Sequence, residues 1–172
     1  AWRMGDQTAR LQGRLSLNPL RHLDPVGTLM LFLFGFGWAK PVPVNFDNLR
    51  DLRKGLIFVS SAGIVANMLL AFTAFLLNHL LSPSPSGILA PVLYYTAQIN
   101  IMLAAFNLIP IPPLDGSKIF MGFASAKFQY LLLRLEPYGF FIIIGLLYLG
   151  ALDPLIDFFR WCILALIRFL LP

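Results

Sequence analysis

A chain of 172 residues that is 58% hydrophobic and only 12% charged, with a mean hydropathy of +0.77, lies outside the composition of soluble domains and reads as a membrane protein. Its net charge of +5 does not point to nucleic acid, because the basic residues are confined to the stretches between apolar runs; the lipid bilayer, with its anionic headgroups, is the expected partner. The one cysteine, Cys162, sits in an apolar run as a small buried hydrophobe, which excludes a disulfide within the chain and a cysteine metal cluster.

The chain opens at Ala1-Trp2-Arg3 without methionine or a signal-like start, and is expected to be a piece of a longer protein. Residues 1–24 read as a strand-like interfacial segment. Leu11, Gly13, Leu15 and Leu17 alternate with Gln12, Arg14 and Ser16, which is the period of a half-exposed strand, and Asn18-Pro19 ends it. Val42 and Val44, beside Pro41 and Pro43, suggest a second extended piece that the prolines confine to a sheet edge. Arg10 and Arg14 are expected to face headgroups. Residues 25–38 are apolar but fall short of the roughly 20 residues a spanning helix needs, so a short membrane or re-entrant segment is predicted there.

Longer membrane segments follow. Residues 55–81 can span, with Asn67 as the main internal polar residue, and 88–109 carry Gln98, Asn100 and Asn107. A shorter segment covers 138–152 and ends at the turn Asp153-Pro154. The last, 155–171, holds Arg160 and Arg168 around Trp161; it either crosses with its arginines snorkelling or lies in the interface, and a crossing is preferred. Arg50, Arg53 and Lys54 precede the first long span and Lys118, Lys127 and Arg134 follow the second, whereas the connection 78–87 has no Lys or Arg. That connection is expected outside and the basic regions in the cytoplasm. The predicted fold is a single domain over 1–172: an all-α polytopic membrane protein with a small β-like membrane-associated element near the N-terminus.

Chemistry concentrates in Asn107-Leu108-Ile109-Pro110-Ile111-Pro112-Pro113-Leu114-Asp115-Gly116. A carboxylate near the hydrocarbon usually faces a partner such as an ion, a substrate or a metal. The prolines remove helical donors and free carbonyls that are tolerable at membrane depth only beside a protein cavity. Asp115 is therefore either a functional group or part of an ordinary turn where a helix meets the membrane surface.

The spacing Asn107-x-x-Pro110-x-x-x-Leu114-Asp115-Gly116 resembles the corresponding motif of the site-2 protease family of intramembrane zinc metalloproteases. Gly5-Asp6-x-Thr8-Ala9-Arg10, Leu17-Asn18-Pro19-Leu20-x-His22-x-Asp24-Pro25-x-Gly27-Thr28 and Gly37-Trp38-Ala39-Lys40-Pro41-Val42-Pro43-Val44-Asn45 are similar to its compact prokaryotic branch. The resemblance implies a multi-pass protein of a prokaryotic cell membrane and a Zn2+ ion held by Asp115 and by two histidines of a His-Glu-x-x-His helix, whose glutamate is the general base. This chain contains no His-Glu-x-x-His, which is expected immediately before Ala1; alone, the chain is not expected to hydrolyse anything.

In such a site the amides of Asn107 and Asn67 could stabilise the developing oxyanion or hold the substrate backbone; Asn67 could equally be interhelical glue. The family usually has proline where Ile64 stands, which implies a less kinked helix around Asn67. His22 either lies beside the metal or substrate or is bonded to Asp24 or backbone. The strand-like segments, with Leu11, Leu15, Pro41 and Val42, could receive an unwound membrane protein or peptide substrate as an added strand. The alternative from another class is an inactive relative serving as a membrane scaffold, or a small transporter, since broken helices with Asn and Asp also coordinate ions. A His-Glu-x-x-His upstream discriminates between them, and no residue pattern speaks to an oligomeric state.

Overall fold

In the computed structural model, which describes residues 1–35, 37, 39–84 and 87–172, the chain divides after Gly55 into two units, Ala1–Gly55 and Leu56–Pro172. The first is organised by Asp6, which is 1% exposed. Its carboxylate accepts hydrogen bonds from the Thr8 amide at 3.0 Å and the Thr8 hydroxyl, from the Asn45 amide at 3.0 Å and from Nδ2 of Asn48 at 3.3 Å. The amide of Arg50 closes the same seam on the carbonyl of Met4, at 3.0 Å. The Thr8 hydroxyl foremost, then the other donors, hold the Asp6 carboxyl down at about 2 against the opposing effect of burial.

These bonds explain why the β-like element predicted near the N-terminus does not form. With Asp6 binding the Thr8 amide, the chain starts the short helix α1 (Thr8–Leu11). Gly13, at φ +64°, then ends it in the left-handed conformation, with the amide of Arg14 on the carbonyl of Ala9 at 2.8 Å. The alternating leucines bury no face: Leu11, Leu15 and Leu17 are all exposed. Among the described residues the only ladder contact is an isolated antiparallel bridge between Leu23 and Ala39. Pro41 and Pro43 offer no amide to extend it. Nor does Arg14 point outward as expected. It is buried and donates from Nη2 to the Lys40 carbonyl at 2.6 Å, while Arg10 stacks over the Trp2 ring.

Helix α2 (Pro25–Phe34) is capped by Asp24, whose carboxylate accepts from the Gly27 amide at 2.8 Å, and is stopped by Gly35 at φ +69°. Its 10 residues rise about 15 Å, half a hydrocarbon core. Phe36 and Trp38, the remainder of the predicted short membrane segment, lie outside the described residues.

The second unit is helical throughout: α3 (Leu52–Leu81, whose first turn belongs to the first unit), α4 (Leu89–Leu108), α5 (Asp115–Phe123), α6 (Ala126–Leu135), α7 (Gly139–Tyr148) and α8 (Asp153–Leu170). Leu52–Leu81, Leu89–Leu108 and Ala126–Tyr148 are long and apolar enough to cross a membrane, which makes this an integral membrane protein. The third begins at Ala126 rather than Tyr138, because the 3-10 turn Glu136–Tyr138 carries the chain from α6 into α7 across Pro137. Helix α8 has charges at Asp153, Asp157, Arg160 and Arg168 and is not among the three.

Alanines and isoleucines bring the helices together. Ile64 and Ala71 of α3 pack with Ile101, Ala104 and Ala105 of α4 and with Ile163 and Ile167 of α8. A second cluster, Ile109, Leu114, Ile143, Leu152 and Ile156, surrounds the proline-rich connection after α4. Helices α4 and α8 therefore run antiparallel, with Ile109 near Ile156 and Ile101 near the Ile163 turn. Ile64, in the position of the family's proline, is a buried residue of an uninterrupted α3.

Candidate functional site

Helix α4 ends because Pro110, Pro112 and Pro113 have no amide to donate. The amides that remain are satisfied locally: Ile109 on Phe106 at 3.2 Å, Ile111 on Ile109 at 2.9 Å and Leu114 on Ile111 at 3.0 Å. Ile109 and Leu114 pin both ends of the connection into the core. The Leu114 carbonyl then accepts both the amide of Ser117, at 3.1 Å, and its buried hydroxyl, at 2.7 Å, which starts α5 with Asp115 as its first residue.

Gly116 fixes where that carboxylate stands. A Cβ there would collide with the backbone carbonyls of Leu108 and Ile109, so only glycine lets the first turn of α5 lie against the last turn of α4. Gly139 plays the same part on the other side, since its Cβ would fall 2.5 Å from the carbonyl oxygen of Pro112.

Asp115 is half-buried and turns toward α3. A Cβ built on Gly63 would be 3.9 Å from its Oδ2, and one turn earlier stands Ser60, 2% exposed, whose hydroxyl meets no acceptor in hydrogen-bonding geometry. Burial pushes the Asp115 carboxyl up from its ordinary value; the charge of Lys118 and the nearby Ser60 hydroxyl pull it the other way. Lys118 also pairs with Glu136 at 3.6 Å. Among the described residues no three of His, Cys, Asp and Glu stand together as a metal cage. A half-buried carboxylate beside an orphaned buried hydroxyl and an unoccupied glycine face fits one ligand of a metal set, and not a complete one.

Asn107 sits on the last turn of α4, adjoining the start of α5, and its Nδ2 donates to the carbonyl of Leu103 at 2.9 Å within its own helix. Asn67 is half-buried on α3, on the face that carries Ser60 and Gly63, where i, i+3 and i+7 align. Ser60 was not among the residues that sequence reasoning singled out; that helical spacing from Asn67 is the signal that could have found it. Leu11, Leu15, Pro41, Val42 and His22 all belong to the first unit. Pro41 and Val42 lie exposed, outside any helix or strand. Nε2 of His22 bonds the carbonyl of Ser16 at 2.8 Å, which is the backbone alternative.

The model of Peptidase family M50 matches residues 82–149, a range that includes the whole Asn107–Gly116 motif. YwhC of Bacillus subtilis, named as a candidate zinc metalloprotease, is 38% identical over 168 residues, covering 94% of this chain and 75% of the relative. Rip2 of Mycolicibacterium smegmatis, named in the same way, is 28% identical over 158 residues, with 89% of this chain and 61% of the relative covered. A third so named, MJ0611 of Methanocaldococcus jannaschii, is 34% identical over 96 residues, or 55% of this chain and 48% of that one. The chain thus spans three quarters of the first of these relatives and less than two thirds of the other two. No solved structure matches it significantly.

Proposed function

Because the chain belongs to peptidase family M50, we propose that it forms most of the membrane domain of a zinc-dependent site-2-type endopeptidase of a prokaryotic cell membrane, which cleaves membrane-embedded or membrane-proximal peptide bonds. The observation that carries this reading is the carboxylate of Asp115, set by a proline-broken connection and Gly116 against the Ser60–Gly63 face of α3.

Asp115 would hold the zinc ion together with two histidines expected upstream of Ala1. When bound, zinc lowers the pKa of a coordinated water and polarises the scissile carbonyl. The Ser60 hydroxyl, which acts to lower the Asp115 carboxyl's pKa, would orient that carboxylate as an outer partner of the ligand. Asn107, on the adjoining turn of α4, has a second N–H beyond the one given to Leu103, and offers it to the substrate backbone or to the oxyanion. Asn67 has the same role or joins helices. Substrate pairing falls to the exposed, non-helical Pro41–Val42 stretch, with Leu11, Leu15 and His22 contributing surface, since α1 offers no strand edge.

The test is cleavage of a single-span peptide by the full-length protein in proteoliposomes. Cleavage that stops with a zinc chelator and returns on adding zinc supports the proposal; cleavage indifferent to chelation contradicts it.

A further inference from the structure

Arg14 is 7% exposed, donates one hydrogen bond to the Lys40 carbonyl at 2.6 Å, and keeps a buried Nε without a partner. A full guanidinium charge is therefore held inside the first unit against one neutral oxygen. Among the described residues no carboxylate lies in ion-pair range of it. A buried charge without a counter-ion is costly enough to call for an anion.

Beside it lies a cavity of about 500 Å3, lined among others by Arg14, Arg21, Lys40, Asp24, Leu20 and Leu23. Its one acidic group is already engaged, since the Asp24 carboxylate caps α2 through the Gly27 amide. Arg21 uses one donor, Nη1, on the Gly13 carbonyl at 3.0 Å, and its other nitrogens are available. The lining thus sets three cationic residues, Arg14, Arg21 and Lys40, against the single carboxylate of Asp24. Two guanidiniums and an ammonium around one volume are the donor set that phosphate takes.

The apolar side of the cavity points to where the phosphate comes from. Leu20 and Leu23 are exposed at its wall, and α2 follows directly with Val26, Leu29 and Leu33 exposed. A charged pocket opening onto an apolar helix face suits an amphiphile. We infer that this cavity binds the phosphate of an anionic phospholipid, with Arg21 and Lys40 reaching it, Arg14 supplying the buried charge, and α2 accompanying the acyl chains.

Full-length protein in detergent is titrated with short-chain phosphatidylglycerol, with short-chain phosphatidylcholine and with sodium phosphate, and the thermal midpoint is followed. Saturable stabilisation by phosphatidylglycerol is expected, about tenfold tighter than by phosphatidylcholine, weakened about tenfold in Arg21→Gln/Lys40→Gln and weakened further by salt. Both side chains are exposed, so the double variant keeps its fold. Sodium phosphate saturating the site as tightly as phosphatidylglycerol would uphold the phosphate chemistry and overturn the lipid as its source. Stabilisation by neither anion, or phosphatidylglycerol binding unchanged in the double variant, would overturn the inference.

Discussion

Gly63 and Asp115 face one another across α3 and α5, with 3.9 Å between Oδ2 of the aspartate and the point where a side chain on the glycine would begin. That spacing is ordinary van der Waals contact, so a methyl group fits and anything longer enters the carboxylate's space. Gly63→Ala is therefore expected to keep zinc content and cleavage in the full-length protein, and to raise helix stability by up to about 1 kcal/mol. Gly63→Leu is expected to lose both zinc and cleavage. Metal analysis of the two variants checks this; a Gly63→Leu protein with full zinc would show that α3 does not border the metal.

Asn107 separates catalysis from packing. Its bond to Leu103 lies within one helix, and losing it costs about 1 kcal/mol or less. If the amide also meets the substrate, Asn107→Ala lowers turnover by about 100-fold while zinc stays bound. Turnover and thermal midpoint are measured on the same detergent sample, and an intact turnover would remove Asn107 from the site.

Asp6 makes the first unit sensitive to acid. Its native value of about 2 lies below the ordinary 3.8, so the folded state prefers the carboxylate form. The stability this contributes is fully present above about pH 4 and is lost as pH falls toward about 2. Asp6→Asn is expected to expose the first unit to proteolysis at neutral pH and to flatten the acid response. A variant with the parent's resistance and acid profile would contradict the role given to this carboxylate.

The long spans and the Asn107–Gly116 break were legible because length, apolarity and missing proline donors leave few alternatives. The N-terminal region was not. Alternation over Leu11–Leu17 imitates a strand, but local bonds decide: Asp6 starts a helix at Thr8 and Gly13 ends it. The burial of Arg14 was hidden for a related reason, because its partner is the carbonyl of Lys40, distant in sequence and of no distinctive residue type. Within the site, Asp115 stood out as a charge among apolar residues, whereas Ser60 matters only because its buried hydroxyl lies near that carboxylate, which no sequence displays.

The connection between α3 and α4 carries no Lys or Arg from Asn78 to Gly87, while basic residues flank the other ends of both helices. It is expected on the non-cytoplasmic side. In a Cys162→Ala background, Ser84→Cys should react with a membrane-impermeant maleimide on intact cells. Reaction only after lysis would invert the topology.

The most direct test of the metal role of Asp115 is the zinc content of the purified full-length protein beside that of its Asp115→Ala and Asp115→Asn variants, each shown to be folded by its thermal midpoint. One zinc per chain is expected in the parent and a loss of most of it in both variants, because an amide is a far weaker ligand than a carboxylate and alanine is none. Folded variants that keep the parent's zinc would contradict the account.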